Sequence, residues 1–111
     1  IIREYGGYGV GRQMDGPPNI ANFGRAGIGH QLKSGMVIAL EHMFALGAAG
    51  TEEEADRWTV SMSDGSLCAH FEETIAVTDS APEILTRISQ LGERPGTVTG
   101  STVAVIAGEA F

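Results

Sequence analysis

The sequence predicts a chain whose main feature is an antiparallel sheet fed by glycine-rich loops. Three observations predict it. Sixteen glycines in 111 residues crowd the part before residue 50, where they break any helix. A run of strand formers follows at 36–44, and from 57 to 86 apolar alternation is cut at short intervals by turn residues.

In chain order, Gly6-Gly7-Tyr8-Gly9-Val10-Gly11 comes first, and Pro17, Pro18, Gly24, Gly27 and Gly29 punctuate Asp15–Ser34. The first third is therefore predicted as turns and short extended pieces. Met36-Val37-Ile38-Ala39-Leu40-Glu41-His42-Met43-Phe44 follows a Lys33-Ser34-Gly35 turn and is too short and β-branched for a helix. The expectation is a strand buried on both faces with a polar pair set inside it. Gly47–Asp56 carries Glu52, Glu53, Glu54 and Asp56 behind Gly50-Thr51 and reads as a solvated loop or one helical turn with acids at its N-terminal end. Arg57–Met62 alternates as a strand, Ser63-Asp64-Gly65 is a hairpin-type turn, and Ser66–Thr78 runs as a long strand to Asp79-Ser80. Glu83–Thr86 is a short extended return. The middle of the chain thus reads as an antiparallel meander of three or four strands, and residues 88–111 as a tail that is a loose edge strand or frayed.

Composition narrows the function classes. With 42% hydrophobic and 19% charged residues, the chain carries neither a bilayer span nor the profile of a wholly disordered tail. A net charge of −7 argues against nucleic acid or an anionic membrane as partner, because both need clustered Lys and Arg. Metals, small molecules and peptides remain. One cysteine, Cys68, makes no intramolecular disulfide and reads as a small buried thiol, and no signal segment opens the chain, so the expected compartment is the cytoplasm. Ile1 stands where a Met would begin a complete chain, which suggests a processed or truncated piece.

Two glutamates occupy apolar strands, where a carboxylate is costly. Glu41 follows Val37-Ile38-Ala39-Leu40, and Glu72 lies between Leu67-Cys68-Ala69-His70-Phe71 and Ile75-Ala76-Val77. A buried carboxylate persists when paired, protonated or bound to a cation, so both are candidate site residues. Hard oxygen donors on neighbouring strands suit Mn²⁺, Mg²⁺, Fe²⁺ or Zn²⁺. A phosphate-loop reading of the glycine cluster fails: the third glycine of the dinucleotide spacing is missing, and no Gly-Lys-Ser/Thr follows.

Several blocks then carry a family resemblance: Tyr5 to Arg12, Pro18-Asn19-Ile20, Leu32 to Met36, Ile38 to Met43, Trp58-Thr59-Val60, and Asp64 to Thr74. In this order and near this spacing, over residues 3–87, they resemble the carboxyl half of type I methionine aminopeptidases. Proline peptidases share the architecture, but the Trp-Thr-Val block and the strand ending in Glu-x-Thr are more similar to methionine aminopeptidases. The resemblance implies an α+β class and a partial pita-bread fold: two similar α/β halves around a curved antiparallel sheet, holding two divalent metals (Mn, Co, Fe or Zn) that activate water to remove an N-terminal methionine. Residues 1–87 then correspond to the carboxyl-terminal portion of the catalytic domain. Of the five family ligands, two aspartates belong to a missing amino-terminal half, and the two glutamates match Glu41 and Glu72. The implied partner is a peptide or nascent-protein N-terminus.

The departures from the pattern fall on the site. The family's ligand histidine is Tyr8 here, a neutral phenol with an ordinary pKa near 10 and a poor ligand at pH 7. A second family histidine, which bonds the substrate and the developing oxyanion, is Asp15; loss of such a donor costs about 3–4 kcal/mol of transition-state stabilisation. His42 replaces a proline beside the first glutamate, but strand neighbours point to opposite faces. Glu73 replaces a histidine beside the second. His30 falls in the glycine-rich loop and reads as solvated, whereas His70 lies two residues from Glu72, on its face. Trp58 matches a position lining the methionine side-chain pocket, and Met14 replaces an aromatic there. The expected function is a methionine-aminopeptidase-like metallopeptidase segment, impaired or inactive as this chain. The alternatives are a non-catalytic relative that binds peptide N-termini, or a degenerate fragment.

Overall fold

The computed structural model describes residues 1–87 and the backbone of Thr102–Ile106. Its strands are β1 (Gly6–Val10), β2 (Gly16–Ala21), β3 (Val37–Ala45), β4 (Thr51–Glu53), β5 (Val60–Met62), β6 (Cys68–Ala76), β7 (Glu83–Ile84) and β8 (Thr102–Ile106). The main sheet runs β2-β1-β3-β6-β7, with β8 also paired to β6, and β4 and β5 form a separate two-stranded ribbon. Every pairing is antiparallel.

The glycine cluster is explained by close backbone approach. A Cβ on Gly7 would collide with the carbonyl oxygen of Ala39 on β3, and one on Gly9 with that of Pro17 on β2. Glycine therefore lets β1 lie between its two neighbours. The β1–β2 register slips between Gly7 and Gly9, and Tyr8 sits at that irregularity. Bulges of this kind re-aim a side chain relative to the rest of the strand.

β3 and β6 form the central ladder, from Val37 opposite Ala76 to Ala45 opposite Cys68. Ile38 and Ala39 are adjacent, hence on opposite faces, and both are buried, as expected of a strand covered on both sides. Beyond Glu41 the strand departs from that expectation: His42 is exposed and Phe44 is half exposed, while Met43 and Ala45 pack on the cluster of Ile2, Met62 and Cys68. This cluster is the main core of the described residues. Ile2 is tied to it by donating its amide proton to the Met43 carbonyl at 3.1 Å.

Three local expectations are corrected. Gly47–Asp56 is not simply a loop or helical turn, because Thr51–Glu53 pair with Val60–Met62. The reversal is built by Asp56, whose carboxylate accepts from the Trp58 and Thr59 amides at 3.0 and 2.8 Å and from the Thr59 hydroxyl at 2.6 Å. Arg57 takes the left-handed conformation at φ 58° within it, and the strand expected over Arg57–Met62 shortens to its last three residues. Finally, Ser63-Asp64-Gly65 does turn, with the Gly65 amide bonded to Met62 O at 2.9 Å, yet it does not join paired strands. β5 pairs with β4 while β6 pairs with β3, so the meander is a long-range β3–β6 ladder with a ribbon inserted in its connection. Asp64 fixes the base of that insertion by accepting from the Ala48 and Ser66 amides at 2.7 and 3.0 Å.

No helix occurs among the described residues, which form antiparallel sheet and loops, so the helical part of the expected α+β architecture is not found there. The tail expected over 88–111 is described only at β8, whose backbone lies antiparallel to Cys68–Glu72 of β6; the remainder lies outside the described residues.

Candidate metal centre

The site is a consequence of register. Glu41 on β3 stands directly opposite Glu72 on β6, so both carboxylates leave the sheet on one face. Opposed side chains on an antiparallel pair have Cβ atoms roughly 4.5–5.5 Å apart, and like charges there repel. Glu41 is only 8% exposed and is the buried charged residue of the described chain. Two carboxylates held on one rung, one of them buried, form an arrangement that a cation relieves.

Tyr8 enters the same face because it pairs with Ala39, two residues before Glu41. Its pKa is pushed up from 10.0 to about 12, first by burial, then by the charges of Glu41 and Glu72, by a hydrogen bond to Glu41, and by Asp15. The phenol is thus held neutral and donates toward Glu41. His70, opposite Met43 and two residues before Glu72, also lies on this face. Its Nε2 is 3.3 Å from Glu41 Oε2, is buried, and has no hydrogen-bond partner among the described residues.

Other residues singled out by sequence are scattered. Asp15 and Met14 lie in the exposed turn between β1 and β2, with Met14 78% exposed. Trp58 sits at the tip of the β4–β5 ribbon, 88% exposed, and borders an apolar groove of about 270 Å³ with Ile2, Tyr5, Met43, Met62 and His70. His42 is on the opposite face of β3 from Glu41, stacked on Phe44 with ring centroids 6.4 Å apart. His30 lies in the 22–32 loop beside a separate hollow of mixed lining. Sequence reasoning missed Ile2, Tyr5 and Met43 as groove residues. Met43 was legible, since it is two residues from Glu41 on the same strand, but nothing local joins Ile2 or Tyr5 to it.

The profile of metallopeptidase family M24 matches residues 1–79. The chain belongs to that family. It is 44% identical over 86 residues to the methionine aminopeptidase of Clostridium acetobutylicum, covering 78% of this chain and 34% of that protein. Against methionine aminopeptidase 1 of Mycobacterium tuberculosis it is 49% identical over 86 residues, covering 78% of this chain and 32% of the relative. The solved methionine aminopeptidase of Thermotoga maritima superposes with a TM-score of 0.74 at 46% identity over 77% of this chain and 34% of that one. That of Rickettsia prowazekii gives 0.72 at 44% identity over 75% and 34%. The chain therefore spans about a third of the length of these relatives, and its strands are a partial pita-bread fold of the M24 type.

As an M24 metallopeptidase segment, the chain carries a donor set that can be tested against a divalent metal. Glu41 and Glu72 fit, being hard oxygen donors converging from one rung. Tyr8 fits less well, because its phenol is neutral in the metal-free chain and must give up a proton to become an anionic donor. Among the described residues no three His, Cys, Asp or Glu side chains are gathered as a complete site.

Proposed function

We propose that this chain is the carboxyl-side half-site of a methionine-aminopeptidase-type metallopeptidase, acting on the N-termini of peptides or nascent proteins in the cytoplasm and impaired in turnover. The observation that carries the reading is the Glu41–Glu72 rung with a neutral phenol beside it. The carboxylates would hold a divalent metal, Mn, Co, Fe or Zn, whose contribution is a water acidic enough to act as nucleophile near neutral pH. Trp58, Met43 and Tyr5 offer an apolar wall beside that face for a methionine side chain. An amino-terminal half, in the same native chain or as a separate subunit, supplies the remaining donors.

Impairment follows from two positions. Tyr8 donates a hydrogen bond to Glu41, which occupies a lone pair that a cation would use. Asp15, when ionised, repels an oxyanion instead of donating to it. The chain is then better suited to holding a peptide N-terminus than to cutting it, and a non-catalytic binding role is the second reading that Tyr8 favours.

The test is hydrolysis of a Met-Ala-Ser peptide with Mn²⁺ or Co²⁺ by the unaltered protein and by Tyr8→His/Asp15→His. Weak or absent turnover, rising about 10²–10³-fold in the double variant, is expected if these side chains are the defect. Unaltered turnover equal to that of an intact methionine aminopeptidase would overturn the impairment.

A further inference from the structure

His70 is a residue that the proposed half-site does not use, and its surroundings are unusual. Its Nε2 is buried, lies 3.3 Å from Glu41 Oε2, and makes no hydrogen bond among the described residues. Leaving a buried imidazole nitrogen without a partner is costly, of order 1–3 kcal/mol, so such an atom calls for an explanation. The separation is that of an ion pair when the imidazole is protonated, yet no hydrogen bond is formed between the two groups. In a tetrahedral zinc site with N and O ligands at about 2.0–2.2 Å, two ligand atoms stand roughly 3.4 Å apart. The observed separation matches that edge.

We propose that His70 is the nitrogen ligand of this half-site, supplying with Glu41 the donor that Tyr8 does not, so that a divalent cation binds Glu41 and His70 on the face they share with Glu72. The proposal rests on the half-site reading above and adds a ligand to it. Three features support it. His70 and Glu72 are two residues apart on β6 and so emerge on one face. The neutral imidazole with its proton on Nδ1 presents a lone pair at Nε2, the form in which histidine binds metals. A mixed nitrogen and carboxylate set also favours Zn²⁺ or Co²⁺ over Mg²⁺, which prefers oxygen alone.

The experiment is titration of the full chain with ZnCl₂, followed by calorimetry and by long-range proton–nitrogen correlation spectra of the histidine rings. His70→Gln and Glu41→Gln are measured alongside. The expected result is a displaced His70 Nε2 resonance on adding Zn²⁺, unmoved His30 and His42 rings, and a loss of affinity of roughly tenfold or more in His70→Gln. If Glu41→Gln abolishes binding while His70→Gln binds as the unaltered chain does and the Nε2 resonance stays put, the half-site stands and the His70 proposal falls. If the unaltered chain binds no Zn²⁺ at millimolar concentration, both fall. Should His70→Gln fail to fold by circular dichroism, the Nε2 resonance of the unaltered chain decides alone.

Discussion

Two acidic regions of this molecule look alike in composition and differ in every physical respect. On the β4–β5 ribbon, the acids are exposed and satisfied by their neighbours: Asp56 by Thr59 and Trp58, and Glu54 by the Ser61 hydroxyl at 2.6 Å. On the β3–β6 ladder, Glu41 and Glu72 face each other on one rung, and the His70 imidazole lies 3.3 Å from Glu41 without a hydrogen bond among the described residues. The first region uses its carboxylates to shape a turn, and the second leaves them open to a ligand. Acid count is therefore a poor guide to a cation site, whereas carboxylates directly opposed on one rung are a better one.

The strongest way to break this contrast is at Glu41. In the presence of Mn²⁺ or Co²⁺, Glu41→Gln should remove most of the metal-induced rise in thermal midpoint, with affinity falling about a hundredfold or more. In chelator the same change should raise the midpoint slightly, because relieving a directly opposed like-charge pair is worth about 0.2–1 kcal/mol. Thermal unfolding with and without metal reads both signs, and an unchanged metal response would sink the assignment of the rung.

Next in size is Gly7→Ala. The added methyl meets the Ala39 carbonyl, so β1 must move away from β3, and a loss of about 1–3 kcal/mol is expected in urea unfolding. Because Tyr8 is carried by β1, metal affinity should fall less than in Glu41→Gln.

A smaller effect is expected from alkali. Tyr8 has a folded-state pKa of about 12 against 10.0 when unfolded, so the folded state holds its proton where the unfolded chain has lost it. The contribution is fully present below pH 10.0 and is lost as pH rises toward about 12. Tyr8→Phe should flatten this part of the stability profile, and an unaltered slope would contradict the placement of the phenol. The smallest change is predicted for Glu52→Gln and Glu53→Gln on the ribbon, which should leave both midpoint and metal affinity near their original values.

Much of the fold was legible in the sequence. The strands at 37–45 and 68–76 announce themselves by apolar, β-branched runs, and the turn at Asp64-Gly65 by its residues. The ribbon was not legible, since Glu52 and Glu53 have low strand propensity and only their pairing with Ser61 and Val60 makes them extended. The glycine cluster likewise gave a breaker signal, although its cause is close approach between strands distant in sequence.

Residue type and order alone determined the family, the two strand-borne glutamates, and a phenol at position 8 and a carboxylate at position 15. These are chemical identities, and a side chain's donor chemistry does not depend on where it folds. The tertiary structure alone decided that Glu41 meets Glu72 on one rung, that Tyr8 is held neutral beside them, and that His70, not His42, lies against Glu41. Pairing register is a non-local property: a slip of one residue between β3 and β6 would turn one carboxylate to the other face, and no local sequence signal fixes it.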